Sequence, residues 1–297
     1  MAKDIIIGID AGTSILKVVA FTLNGKEIAS SSKKNIYKTS HGGQATQSLD
    51  ATWKNCIKII SELKNKINNF KDRVAIISVT GQGDGTWLID KKGKPVCDAW
   101  LWLDSRSSDI AKKLSKLNSE KLRFDLTGTG IFAGQQSSQI SYMDKNNPEI
   151  LDQSSTAFHC KDWIYFKLTN VRATDPSEAC FTFGNFRTRQ YDENVIDGLG
   201  LTKRKNLLPD IIDGSKVTHT LSDNVATLIG LNSGTPIALG YIDAVCTFLG
   251  SGGLDINKDV GNSILGTTGG HMKATKISQI IPNSNLKSGY VMLLPIE

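Results

Sequence analysis

The sequence predicts an α/β fold, and three stretches carry that prediction. Ile5-Ile6-Ile7-Gly8-Ile9 is a short apolar, β-rich run that ends in Asp10 and a turn of small residues, Ala11-Gly12-Thr13-Ser14. Trp53, Ile57, Ile60, Leu63, Ile67 and Phe70 recur at helical spacing, as one buried face of a helix does. Residues 74–79 then form a second apolar run, closed by the glycine-rich loop Gly81-Gln82-Gly83-Asp84-Gly85. Strand, helix and strand in alternation predict helices laid on a sheet.

In chain order, the first strand is followed by a second from Lys17, and Asn24-Gly25 predicts a two-residue type I′ hairpin. Asp50 stands where an N-cap for the amphipathic helix is expected. Residues 86–89 and 96–102 predict strands around the turn Lys91-Lys92-Gly93-Lys94-Pro95, and residues 105–168 read as mainly helical, ending at Leu168-Thr169-Asn170. Thr174-Asp175-Pro176-Ser177 reads as a polar loop. From Pro236 a buried strand, a turn at Gly240 to Asp243 and a small-residue helix return.

Composition fits a globular protein. At 297 residues with 39% hydrophobic and 22% charged residues, the chain can bury a large core in one or two domains. No apolar run reaches the roughly 20 residues of a membrane span, and no signal-peptide layout opens the chain, so the expected location is cytoplasmic and no membrane partner is expected. Cys56, Cys97, Cys160, Cys180 and Cys246 are scattered, odd in number and without a C-x-x-C pair, which predicts reduced thiols. The net charge of +6 suits an anionic ligand, but the lysines are dispersed and not interleaved with aromatics, so nucleic-acid binding is not expected.

Chemistry concentrates at the strand ends. Gly12 lets a backbone approach an anion, Thr13 and Ser14 offer donors, and Asp10 could hold Mg²⁺ through water. The same residues also fit an ordinary hairpin with a polar turn. Two motif matches fail on context. Ser14-Ile15-Leu16-Lys17 spells S-x-x-K but lies between strands, and Gly128-Thr129-Gly130 with Ala133 spells G-x-G-x-x-A with no strand before it.

The turn at Asp10 to Ser14 with Lys17 resembles the first phosphate motif of actin-like ATPases, and three later segments narrow the resemblance to the FGGY carbohydrate kinases. These are Gly81 to Gly85, similar to the family's first sugar-contacting loop; Trp102-Leu103-Asp104-Ser105-Arg106, similar to its Trp-x-Asp-x-Arg segment; and Gly240-Tyr241-Ile242-Asp243-Ala244, similar to the segment carrying its catalytic aspartate. The resemblance runs the length of the chain. It implies a ribonuclease H-like, actin-like domain over residues 1–255, with a mixed sheet flanked by helices. A second such domain would begin at 256–297, because residues 261–270 resemble the second phosphate motif.

The resemblance further implies ATP-dependent phosphorylation of a sugar or polyol hydroxyl, with ATP and Mg²⁺ as cofactors. Asp243 would be the base, or else merely a helix cap. Asp10 would organise Mg²⁺; Gly12, Thr13, Ser14, Gly266, Thr267 and Thr268 would serve the nucleotide phosphates; and Lys17 would either add charge there or be a solvated strand residue. Gln82, Gly83, Asp84, Asp104 and Arg106 would surround the substrate, although Asp104 and Arg106 could equally form a supporting ion pair. Trp87, Trp100 and Trp102 fit the core, with one of them free to stack on substrate.

Two positions depart from the family pattern. Ala244 stands where relatives often carry Asn or Gln, and the 83–85 loop lacks the Arg or His of some relatives. Both argue against glycerol and a xylulose-type pocket. The wording of residues 82–87 and 98–104 is most similar to the erythritol kinases. Family members ordinarily hold two such domains, so the chain is expected to lack the adenosine-binding part, to expose unpaired strands, and to need a C-terminal kinase domain or a homo-oligomer for productive ATP binding. A non-catalytic sugar-binding module or split-kinase subunit, and an actin-like ATPase, are the alternatives.

Overall fold

The computed structural model of the chain describes residues 3–255, 260–265 and 269–296. Its centre is a six-stranded mixed sheet in the order His219–Thr220, Pro236–Leu239, Val74–Gly81, Ile5–Ala11, Ile15–Thr22, Glu27–Lys34. Ile5–Ala11, Val74–Gly81 and Pro236–Leu239 run parallel, and the outer pairings are antiparallel.

Alternation along the first strand sends Ile5, Ile7, Ile9 and Ala11 into the main core. There they meet the apolar stripe of the Leu49–Lys64 helix and the Cys160–Thr169 helix. Trp163 joins these two helices, its indole N–H donating to the Leu49 carbonyl at 2.9 Å. On the other face Ile6 and Ile76 are only half-buried. A second apolar cluster, with Leu88, Trp100, Ile140, Met143, Phe183 and Ile196 at its heart, packs the helices Gln136–Asn146, Pro148–Gln153 and Glu193–Gly198.

Several local expectations need correction. The first hairpin is not a type I′ turn: only Gly25 has positive φ (84°). The Gly25 N–H donates to the Thr22 carbonyl and the Thr22 N–H to the Lys26 carbonyl, a three-residue loop in which glycine takes the left-handed position. Ser48, not Asp50, caps the long helix, its Oγ accepting from the Ala51 N–H at 3.3 Å. Asp50 lies in the first turn, where its charge favours the helix dipole. The helix stops at Lys64, and Ile67 and Phe70 reach the same core from beyond it.

Residues 86–102 do fold back at Gly93, but the paired elements are short. Trp87–Ile89 pairs with Thr156–Phe158, and Ala99–Trp100 pairs with Gln44–Gln47. The predicted 174–177 loop is the start of a helix: Asp175 caps Pro176–Thr182 by accepting from the Ser177 N–H at 2.8 Å. The helical run ends at Thr169 with Asn170 in the left-handed conformation, as expected.

All five cysteines are free, and burial pushes the Cys56 thiol up to about 12. Gly128 terminates a helix and precedes no dinucleotide loop. Among the described residues no helix is long and apolar enough to cross a membrane. Gly261–Leu265 and Gly269–Lys273 form a separate two-stranded hairpin, and Gly266, Thr267 and Thr268 lie outside the described residues.

Candidate active site

The three parallel strands end in register. Ala11 pairs with Gly81 and Leu239 with Val79, so the turns that follow them converge on one edge of the sheet, where open α/β sheets place ligands. Close packing fixes the turns. The Gln82 N–H donates to the Ala11 carbonyl at 3.1 Å, and the Gly240 N–H to the Val79 carbonyl at 2.7 Å. The Thr80 hydroxyl donates to the Tyr241 carbonyl at 2.6 Å.

Asp10 is the last polar residue of the first strand, open to solvent and opposite Lys17 across the ladder. Desolvation raises its pKa and Lys17 partly offsets the effect. Gly12 is sterically required, since a Cβ there would sit 2.7 Å from the Ile15 carbonyl oxygen. Gly12→Ala should cost about 1–3 kcal/mol through the backbone shift it forces, a drop a thermal melt would register. Thr13 is held on two sides, its hydroxyl donating to Gln82 Oε1 at 2.9 Å and accepting from Trp102 Nε1 at 3.0 Å. Gln82 in turn donates to Gln47 Oε1 at 2.9 Å, so the phosphate turn and the 82–85 loop form one braced unit. Ser14 and Lys17 are exposed.

Asp243 is the first residue of the Asp243–Gly250 helix, with Ile242 at the cap position. Its Oδ1 accepts from the Ala244 N–H at 2.7 Å. Burial, with the Asp10 charge and then the Glu178 charge adding to it against that hydrogen bond, pushes its pKa up to about 7. Asp84 takes the left-handed conformation (φ 52°) and is almost fully buried. Burial and the neighbouring Glu178 raise its pKa well above the carboxylate range.

Asp104 and Arg106 have the geometry of the supporting pair. Asp104 is fully buried; its carboxylate accepts from the Ala45 N–H, the Arg106 N–H and the Arg106 guanidinium, the last at 2.6 Å. Arg106 stacks on Trp100 at 3.3 Å from the ring centroid. Trp87 and Trp100 are core residues, whereas Trp102 is 37% exposed beside Thr13.

Behind the strand ends lies a buried ionic group that sequence reading missed. Lys161 Nζ is 2.7 Å from Asp162 Oδ1 and 2.5 Å from Asp175 Oδ1, all three side chains being fully buried. His159 Nδ1 is 3.0 Å from Asp162 Oδ2, and its Nε2 is 3.6 Å from Glu178 Oε2. The available signal was Asp175-Pro176, a cap followed by proline in the first turn, which marks a helix start and would have placed Glu178 on a helix face.

The sequence matches the N-terminal domain of the FGGY family of carbohydrate kinases over residues 5–250. The chain belongs to this family. It is 51% identical over 293 residues to an erythritol kinase of Brucella abortus (strain 2308), covering 99% of this chain and 56% of that protein. It is 25% identical to an L-xylulose/3-keto-L-gulonate kinase of Escherichia coli (strain K12), covering 83% of this chain and 50% of that protein. A ligand-bound xylulose kinase structure from Lactobacillus acidophilus superposes with a TM-score of 0.80 at 24% identity, over 91% of this chain and 53% of that one. The chain thus spans about half the length of the relatives it matches. The FGGY match contains every site residue from Asp10 to Asp243 and ends before Gly266.

Proposed function

We propose that this chain supplies the acceptor pocket and catalytic base of an ATP-dependent kinase that phosphorylates a polyol hydroxyl, with erythritol as the acceptor. One observation carries the reading: Asp243, at the edge where three parallel strands end, has a carboxyl pushed up to about 7 by burial and by the Asp10 charge. A base with a pKa near the working pH is the one group phosphoryl transfer asks of the acceptor side. The 51% identity to an erythritol kinase supports the choice of acceptor.

The donor set fits a divalent ion. The Asp10 charge raises the proton affinity of Asp243, a repulsion that a cation near the two carboxylates would relieve. Among the described residues no group of three or more His, Cys, Asp or Glu could hold a metal, so Mg²⁺ would have to take most of its ligands from water and phosphate oxygens. When bound, Mg-ATP supplies the phosphoryl group and neutralises its charge. The chain's own residues do the rest. Asp10 would hold the ion, and Thr13, fixed by Gln82 and Trp102, would present the turn, with Gly12 and Ser14, toward phosphate. Asp243 accepts the acceptor's hydroxyl proton. Gln82, Gly83 and Asp84 line the acceptor side, with Arg106 and Asp104 bracing the wall behind them.

On this reading residues 1–255 form the acceptor domain and 256–297 open the nucleotide domain. Gly266, Thr267 and Thr268 would serve the phosphates from there, and a C-terminal kinase domain or a second copy would complete the site in the cytoplasm. Calorimetric titration of the chain with erythritol, glycerol and xylulose, then Mg-ATP, tests it. Erythritol should give a saturable heat and the other two should not. Silence toward every polyol, or ATP hydrolysis indifferent to acceptor, refutes it.

A further inference from the structure

Three buried side-chain atoms near Asp243 have no hydrogen-bond partner: Asp84 Oδ1, Glu178 Oε1 and His159 Nε2. They belong to three separate elements, the 82–85 loop, the Pro176–Thr182 helix and the cap of the Cys160–Thr169 helix, yet they form one group. The Asp84 N–H donates to Glu178 Oε2 at 3.3 Å, and His159 Nε2 stands 3.6 Å from the same oxygen. Unpaired buried polar atoms are costly, and three gathered in one place beside a catalytic candidate are more readily understood as places for a ligand's hydroxyls than as accumulated defects.

Gly83 explains how the group fits. A Cβ at position 83 would lie 1.9 Å from Ile242 Cδ1 and 3.0 Å from Glu178 Oε1. The space that a side chain at 83 would need is therefore filled by Ile242, next to Asp243, and by the Glu178 carboxyl arriving from the helix opposite.

We propose that Glu178 is a positioning residue for Asp84: it holds the Asp84 backbone in its left-handed turn and shares one proton with the Asp84 carboxyl, which then donates a hydrogen bond to an acceptor hydroxyl. This rests on the polyol reading above only for the identity of the hydroxyl. Asp84 faces Glu178, His159 and Asp243, while Glu178 faces His159, Lys161, Asp175 and Asp162 as well. Two carboxyls so close in a buried setting cannot both ionise readily, and both are pushed upward, first by burial, then in Asp84 by Glu178. His159 acts on both carboxyls, but Lys161 adds its charge at Glu178 while Asp243 opposes ionisation of Asp84, so Glu178 is the member that ionises and Asp84 the one that keeps the proton. The arrangement also limits the negative charge around Asp243, which leaves that base able to ionise near neutrality.

The test is a carboxyl-¹³C NMR titration of the chain labelled at Asp and Glu, in the unsubstituted protein, Asp84→Asn and Glu178→Gln. Thermal melts at pH 7 verify folding of the variants. In the unsubstituted chain a carboxyl resonance that Asp84→Asn removes should titrate well above the exposed carboxyls; finding Asp84 titrating together with them overturns the proposal, whichever variants fold. In Glu178→Gln the Asp84 resonance should titrate at least about one unit lower, and an unmoved midpoint overturns the sharing. Erythritol affinity separates the two readings. Asp84→Asn, which keeps a donor, should bind within about threefold of the original, and Asp84→Ala about 30-fold or more weaker. Equal losses in both count against a donating Asp84. If the unsubstituted chain binds no polyol while the carboxyls titrate as described, the polyol reading fails and the shared proton stands.

Discussion

Asp243→Asn should lower phosphoryl transfer to the acceptor by about 10²–10⁴-fold in the kinase-competent form of the protein while leaving acceptor affinity nearly unchanged. Asn preserves the shape and the carbonyl oxygen that accepts the Ala244 N–H at 2.7 Å, but removes the proton-accepting carboxylate. With the carboxyl at about 7, the acid limb of kcat/KM for the acceptor should have its midpoint near that pH and should vanish in the variant. Unchanged turnover would refute the base assignment.

The same substitution should make the fold more stable. A carboxyl whose pKa rises from 3.8 to about 7 on folding is disfavoured as the anion in the native state. The cost is absent below the unfolded pKa, grows as pH rises through the interval, and is complete above about 7. At about 1.4 kcal/mol per unit it comes to about 4.5 kcal/mol, and partial solvent access reduces it to roughly 2–4 kcal/mol. Asp243→Asn should therefore raise Tm by roughly 5–10 °C at pH 8 and by little at pH 4. A base kept near neutrality by burial and like charge is a site where function is held against stability, and the two readouts should move in opposite directions.

How much of this was legible in the sequence depends on the range of the interaction. Strands 5–11 and 74–81, the long helix and the helix after Asp243 declared themselves because their apolar periods are local, and Asp10, Gln82 and Asp243 stood out because each ends such a run. The caps were less readable: Ser48 and Asp50 are both good N-cap types, and only the path of the chain selects Ser48. Asp104 and Arg106 remained ambiguous because a pair two residues apart spells the same whether it faces a ligand or the Ala45 N–H. His159, Lys161, Asp162 and Glu178 could not be picked out, since scattered charged residues are ordinarily solvated and nothing local states that all four side chains are buried. Their burial follows from two helix starts being driven against the sheet's ligand edge, a tertiary fact.

That buried group sets the second large effect. Lys161→Met should cost about 3–5 kcal/mol, roughly a 10 °C fall in Tm, because methionine fills the volume but leaves Asp162 and Asp175 without the cation they share at 2.7 and 2.5 Å. Burial would raise the Asp162 carboxyl, yet Lys161 and then His159 hold it down to about 2. A depressed carboxyl stabilises the fold above its unfolded pKa and loses that contribution as pH falls toward 2, so the gap between the original and the variant should be widest near neutrality and narrow in acid. The damage should also reach the active edge. Asp175 Oδ2 accepts from the Ser177 hydroxyl at 2.5 Å, and that hydroxyl oxygen accepts from the Ile242 N–H at 3.0 Å, one residue before Asp243. Freed of Lys161, Asp175 is left as a buried charge without its cation, and its turning away loosens the turn that aims the base. Adding Asp175→Asn to Lys161→Met should recover part of the lost stability by removing one unpaired charge. A single variant that melts within about 1 °C of the original at pH 7 would show that the buried lysine is dispensable, and that the Asp243 turn is held by backbone packing alone.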